Sequence, residues 1–220
     1  MISLWWRLVR FGFRLLYNEL AFTYDVVSKI VSLGQWRSWQ RRGIPHLVLE
    51  PGQRVLELAH GTGNMQIDLL VAGYHPIGLD LSPNMGRLAR RKLKQHGLAA
   101  RLVRASAFQL PFGSRSFDAV FSTFPTEFFI QPSALSEAWR VLKPGGRYVV
   151  VINGLLTGKQ FSARILEWLY RVTGQRGPWP GAPQKSFEDA GFTYQYLVEE
   201  KAHSQVIMIV ATRPPEGSTS

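Results

Sequence analysis

The 220-residue chain contains no cysteine. That removes disulfide scaffolds, Cys-ligated zinc, iron–sulfur clusters and any thiolate nucleophile. Acids are scarce: 15 Asp and Glu face 26 Lys and Arg, for a net charge of +11. Between Leu81 and Phe117 there is no acid at all, yet Arg87, Arg90, Arg91, Lys92, Lys94, Arg101, Arg104 and Arg115 all fall there. No stretch of about 18 apolar residues occurs, which excludes a membrane-spanning helix. The apolar N-terminal stretch is interrupted by arginines and followed by no small-residue cleavage site, so it does not read as a secretory signal. Internal repeats are absent. What is present is 45% hydrophobic and 19% charged residues, the balance of a globular protein. The length predicts one domain with a short extension, burying roughly 70% of its unfolded surface.

A surplus of this size points either to a polyanionic partner, nucleic acid or acidic lipid, or to general solubility. Arg7, Arg10 and Arg14 recur at helical spacing among Trp5, Trp6, Phe11 and Phe13. Two readings fit: a basic amphipathic helix at a membrane interface, or a helix packed on its own domain with the arginines in water.

The middle of the chain alternates strand-like and helix-like segments. Arg54–Ala59 is a strand, Thr62–Ala72 a helix and His75–Leu81 a strand. Ser82 caps a helix with Pro83 at its first position, running to about Gln95. Ala100–Arg104 and Phe117–Phe124 are strands. Pro132–Leu142 is a helix closed by the turn Lys143–Gly146, and Arg147–Asn153 is a valine-rich strand. Such alternation predicts an α/β fold, a mostly parallel Rossmann-like sheet with helices on both faces. Phe192–Glu200 and His203–Thr212 form a closing hairpin, so one strand should run antiparallel. The expected organisation is a helical cap over 1–45, a core over 46–212 with a covering insertion at 154–186, and a disordered polar tail over 213–220.

Chemistry in such folds sits at the C-terminal ends of the parallel strands. The first strand ends in Glu57-Leu58-Ala59-His60-Gly61-Thr62-Gly63-Asn64. A dinucleotide fingerprint would need a small residue at 66, which is Gln, and Glu57 would repel a pyrophosphate. A cationic nucleoside without phosphates fits better, and S-adenosylmethionine is the common one. Asp80 closes the second strand, where a carboxylate can accept from both ribose hydroxyls.

The segments VLELAHGTGN (55–64), GLDLSPNM (78–85), LPFGSRSFDAVFSTF (110–124) and EAWRVLKPGGRYVVV (137–151) together resemble the class I S-adenosylmethionine-dependent methyltransferases. The resemblance implies a seven-stranded sheet with an antiparallel last strand. It also implies cofactor contacts at Glu57, Ala59, Gly61 and Gly63, the ribose acid at Asp80, and Leu81 and Met85 near the adenine. Two positions depart from the family pattern. Ala59 stands where the first glycine usually is, and Ser106 replaces an adenine-binding acid. The backbone N–H of Ala107 or Phe108 remains as an adenine donor. Upstream, Ala21–Arg37 (AFTYDVVSKIVSLGQWR) resembles the segment before the core of the ubiquinone/menaquinone biosynthesis methyltransferases, with a similar Tyr-Asp entry in some phospholipid N-methyltransferases. There the helix closes over the cofactor, which makes Tyr24 a candidate contact.

Methyl transfer is an in-line displacement whose main requirement is alignment. A general base is needed only where the acceptor must lose a proton. His60 and Glu127 are the candidates, with His203 behind them; His60 could also orient the cofactor. Glu127 has an alternative as a helix N-terminal acid. Aromatic residues at Phe161, Trp168 and Trp179, together with the N-terminal helix, suggest an apolar entrance. The expected substrate is a small lipophilic molecule, a quinone precursor or lipid headgroup, and no metal is expected. An anionic membrane surface is the expected partner of a cytoplasmic enzyme held peripherally at the inner face of the membrane. Nucleic-acid methylation is the alternative, although the missing cysteine excludes the covalent C5-pyrimidine route and SerThrPheProThrGlu at 122–127 lacks the amino-methylase motif. A non-catalytic cofactor-binding homologue is the third reading.

Overall fold

The computed structural model describes residues 24–157, 183–201 and 204–217. The expected arginine-bearing N-terminal helix, the segment 158–182 within the expected insertion, His203 and the last three residues of the tail lie outside the described residues.

Seven strands form one sheet: β1 (Arg54–Leu58), β2 (His75–Asp80), β3 (Leu102–Arg104), β4 (Phe117–Thr123), β5 (Leu142–Leu156), β6 (Thr193–Lys201) and β7 (Ser204–Thr212). Their order is β3-β2-β1-β4-β5-β7-β6. Pairings are parallel from β3 to β5, and β7 runs antiparallel to both β5 and β6. The hairpin read from the sequence is therefore present, and β7 is the reversed strand.

The described helices are α1 (Tyr24–Val31), α2 (Trp36–Arg41), α3 (Asn64–Val71), α4 (Pro83–Gln95), α5 (Pro132–Val141) and α6 (Pro183–Asp189). Both faces of the central strands are covered, so these strands are apolar at successive positions. Val149 and Val151 of β5 pack with Trp39, Leu47, Met65 and Leu69. Tyr148, Val150 and Ile152 pack on the other face with Leu135, Ala138 and Phe187. Helices α2 and α3 thus lie on one side of the sheet, α5 and α6 on the other. A Cβ on Gly154 would stand 2.3 Å from the Trp39 ring, so the fully buried indole requires a residue without a side chain there.

Several boundaries differ from expectation. The expected insertion at 154–186 overlaps regular structure at both ends, because β5 stays paired with β7 through Leu156 and α6 begins at Pro183. Lys143–Gly146 is a bulge inside β5 rather than a turn before it: Leu142 already pairs with Phe117, and pairing resumes at Arg147 with Ala119. The tail also begins later than residue 213. Arg213 N–H donates to Gly146 O, and its guanidinium donates to the carbonyls of Trp139 and Leu142. Finally, β3 is a three-residue edge strand, although Gly78 N–H reaches Arg101 O at 2.9 Å and extends the contact.

Candidate active site

The strand order reverses between β1 and its neighbours β2 and β4, and there the C-terminal ends of the strands open a crevice. The β1–α3 loop enters it. Ala59 takes φ +58, Gly61 +53 and Gly63 +83, so three of five successive residues are left-handed. Ala59 bears a strain that a glycine would not. Gly63 is fixed by space as well: a Cβ there would lie 2.8 Å from that of Ala89 on α4.

Asp80 joins the two loops. One carboxylate oxygen accepts from Gly61 N–H at 2.9 Å and the other from Ser82 N–H at 2.8 Å. Each oxygen keeps a lone pair for a further donor. Ser82 caps α4 as expected, accepting from Met85 N–H. Met85 itself is 1% exposed and belongs to the core beneath α4, so its side chain does not line the crevice. Leu81 and Phe108, by contrast, are 67% and 49% exposed. Ser106 Oγ accepts from Phe108 N–H at 3.2 Å, which leaves Ala107 N–H as the amide without a partner among the described residues.

Glu57 lies behind this surface. It is 1% exposed, and its carboxylate accepts from Gln66 Nε2 at 2.6 Å. Burial pushes its pKa up to about 8; the Gln66 hydrogen bond pulls it down, and the charges of Asp80 and Asp68 push it further up. Gly78 makes the room, since a Cβ there would be 3.0 Å from both Gln66 and the His60 ring. Gln66, which crowds out a dinucleotide fingerprint, thus reaches back to hold the end of β1. His60 is 5% exposed. Its Nδ1 lies 2.9 Å from Gly61 O and so carries the proton. Burial lowers its pKa, while the nearby Asp80 charge and backbone carbonyls act the other way. Glu127 opens the short 3-10 turn after β4, exposed and with no side-chain partner among the described residues. His60 follows β1 and Glu127 lies beyond the adjacent β4, and no hydrogen bond joins them.

A network absent from the sequence reading clamps α1 on the loop. Asp25 accepts from Thr62 Oγ1 at 2.6 Å, Asn64 Nδ2 at 3.1 Å and Lys92 Nζ at 2.5 Å. Lys92 also donates to Thr62 and Asn64. Burial raises the Asp25 pKa, but the hydrogen bonds from Lys92, Thr62 and Asn64 and the Lys92 charge outweigh it and hold it below the ordinary value. Tyr24, the predicted contact, begins this helix. A second clamp docks α2: Arg37 and Arg41 each grip Asp68 through two hydrogen bonds of 2.7–3.0 Å. Gln40 Nε2 donates to Thr123 Oγ1 at 2.8 Å, and Trp36 packs on Phe124 at the end of β4. The Tyr-Asp pair was the only sequence signal of this arrangement.

From Asp80 and His60 a cleft of 460 Å³ runs between α4 and β3, lined by Arg87, Arg90, Arg91, Lys94 and Arg104. Among the described residues no three His, Asp or Glu side chains are grouped to hold a metal ion, and no helix is long and apolar enough to cross a membrane.

The chain matches the ubiE/COQ5 methyltransferase family over residues 13–203. It is 37% identical over 139 residues to the demethylmenaquinone methyltransferase of Thermus thermophilus, covering 62% of this chain and 63% of that protein. It therefore spans just under two thirds of that relative's length. Identity to the ubiquinone/menaquinone biosynthesis C-methyltransferase UbiE of a Ruegeria species is 32% over 188 residues, covering 83% of this chain and 72% of that one. The crystal structure of geranyl diphosphate C-methyltransferase from Streptomyces coelicolor, in complex with Mg²⁺, geranyl diphosphate and S-adenosyl-L-homocysteine, shares the fold. Its TM-score is 0.60 at 14% identity, covering 80% of this chain and 78% of that one.

Proposed function

The chain belongs to the ubiE/COQ5 methyltransferase family, and on that premise we propose that it transfers the methyl group of S-adenosylmethionine to a ring carbon of a lipophilic quinone precursor. The observation that carries the cofactor is Asp80, whose carboxylate is fixed by one amide from each flanking loop and keeps acceptor capacity toward the crevice. The exposed Leu81 and Phe108 beside it are apolar surface that a planar base would cover. Those features fit an adenosine: ribose hydroxyls on Asp80, the ring against Leu81 and Phe108, and an adenine acceptor on Ala107 N–H. The carbon acceptor is taken from the named activity of the Ruegeria relative.

When bound, S-adenosylmethionine supplies an electrophilic methyl group on a sulfonium. The residues of this chain do the rest by positioning, which can contribute roughly 7–11 kcal/mol. The left-handed turn at Ala59–Gly63 brings backbone, not side chains, against the cofactor. The Asp25–Lys92 clamp holds α1 over that turn. Glu127, in the turn after β4 and unpartnered among the described residues, accepts a proton from a ring hydroxyl of the acceptor, which makes the ring carbon more nucleophilic. His60, neutral and tied to Gly61 O, shapes the loop.

Calorimetric titration with S-adenosylmethionine, followed by labelled methyl transfer to total lipid extract and to total RNA, tests the reading. It predicts cofactor binding and label in the lipid fraction. No cofactor binding, or label in RNA alone, overturns it.

A further inference from the structure

We infer that the cleft between α4 and β3 holds the phosphate of an anionic lipid headgroup and seats this side of the molecule on an anionic bilayer. The choice of a lipid among phosphates rests on the bilayer-resident acceptor proposed above; the anion site itself rests on charge and shape.

Arg87, Arg90, Arg91 and Lys94 follow one another at spacings of three, one and three, which places them along one side of α4. All four are exposed. Arg104 faces them from the edge strand, with its Nε donating to Leu81 O at 3.1 Å. Together they line the 460 Å³ cleft. None forms an ion pair with a described acid. Elsewhere, exposed and half-buried cations are paired: Arg41 and Arg37 with Asp68, Lys143 with Asp118, Arg140 with Glu137. Even Lys92, on the same helix, pairs with Asp25, and Arg115 pairs with Glu216. Of the eight cations in the acid-free stretch, Lys92 and Arg115 thus pair with acids, five converge on one cleft, and Arg101 belongs to neither group.

Like charges three and four apart on a helix repel one another, and α4 carries no acid to relieve them. The acid that lines the cleft, Asp80, has both oxygens on backbone amides. An anion satisfies the cluster. Arg binds phosphate with paired donors, and the cleft offers four of them. The cleft floor is apolar, formed by Leu102 and Val103, and among the described residues no Phe, Tyr or Trp lines it. A single-stranded nucleic acid would want aromatic platforms for its bases; a lipid headgroup needs only the phosphate contacts and an apolar step toward its chains.

The test uses the full chain and the variant Arg90→Gln/Arg91→Gln/Lys94→Gln, which leaves Asp80, Arg87 and Arg104 at the inner end of the cleft. Co-sedimentation is measured with phosphatidylcholine vesicles and with vesicles containing phosphatidylglycerol. The wild type should partition onto the anionic vesicles, less so as salt rises, and the variant should lose roughly 100-fold in partition coefficient. Equal partitioning of the two proteins overturns the proposal. So does a variant-sensitive rise in melting temperature with inorganic phosphate but no vesicle difference, which assigns a free phosphate. Variant-sensitive binding of total RNA with unchanged vesicle binding overturns it in favour of nucleic acid. Methyl transfer to a detergent-solubilised quinol separates this failure from failure of the function. Wild type and variant should turn over alike. Equal vesicle partitioning with turnover intact removes the lipid site alone. A vesicle difference without turnover in either protein removes the proposed acceptor and leaves the lipid site standing.

Discussion

Replacing Glu57 by Gln should stabilise the protein at neutral pH. Glu57 is 1% exposed at the end of β1, and burial raises its carboxyl from 4.5 to about 8 against the pull of the Gln66 amide. An acid whose pKa rises on folding stays protonated in the native state while the unfolded chain ionises. Its contribution is intact below about pH 4.5, is lost progressively as pH rises toward 8, and then levels off. At about 1.36 kcal/mol per pH unit, the loss at pH 7 is roughly 3 kcal/mol. Gln has no proton to lose and escapes that cost. Its Oε1 can accept from Gln66 Nε2, but its own amide N–H groups need partners, and one left unmet returns about 1–2 kcal/mol. The net gain is about 1–2 kcal/mol, a rise of roughly 2–8 °C in Tm for a chain of this length. Thermal unfolding of both proteins between about pH 5 and pH 8.5 is the assay. The gap should widen with pH up to about 8 and then hold. A gap independent of pH would mean that Glu57 is ionised throughout, and the reasoning from burial would be wrong.

Asp80→Ala removes the acceptor shared by Gly61 and Ser82 and should weaken S-adenosylmethionine by more than about tenfold in calorimetry; an unchanged Kd refutes the ribose placement. Asp25→Ala cuts the clamp between α1, the β1–α3 loop and Lys92. The Asp25 side chain is 39% exposed, so screening limits the loss to about 1–2 kcal/mol. Because the Asp25 pKa is lowered on folding, its contribution is present above the ordinary value of 3.8 and fades as pH falls through the folded value. Acid unfolding of wild type and variant should therefore converge at low pH, and a constant difference contradicts the ion pair. Gly63→Ala places a methyl 2.8 Å from the Ala89 Cβ at φ +83 and should cost at least about 2 kcal/mol; an unaltered melting temperature contradicts the close packing of α3 on α4.

The parts of the molecule governed by local chemistry were legible in its sequence. Ser82-Pro83 announces a cap, and the structure uses it. Alternation of valine-rich runs with amphipathic segments announces the sheet, and two late strands announce the hairpin. Contacts between residues far apart in the chain were not legible. Lys92 looks like surplus charge until α4 folds against α1, 67 residues away, and gives it Asp25. Gln66 reads as an obstacle to a glycine-rich turn, yet its length lets it reach Glu57. Met85 shares a motif with Asp80 but turns inward, because a capped helix fixes which side each position faces. Lys143–Gly146 carries turn residues in a place where sheet pairing absorbs them as a bulge.

The most direct measurement gives the purified protein labelled S-adenosylmethionine and a reduced, prenylated quinone precursor lacking its ring methyl, then locates the label in the extracted product. A new ring C–methyl group on that acceptor is the expected result. A protein that binds the cofactor but leaves this acceptor unlabelled while labelling RNA would contradict it.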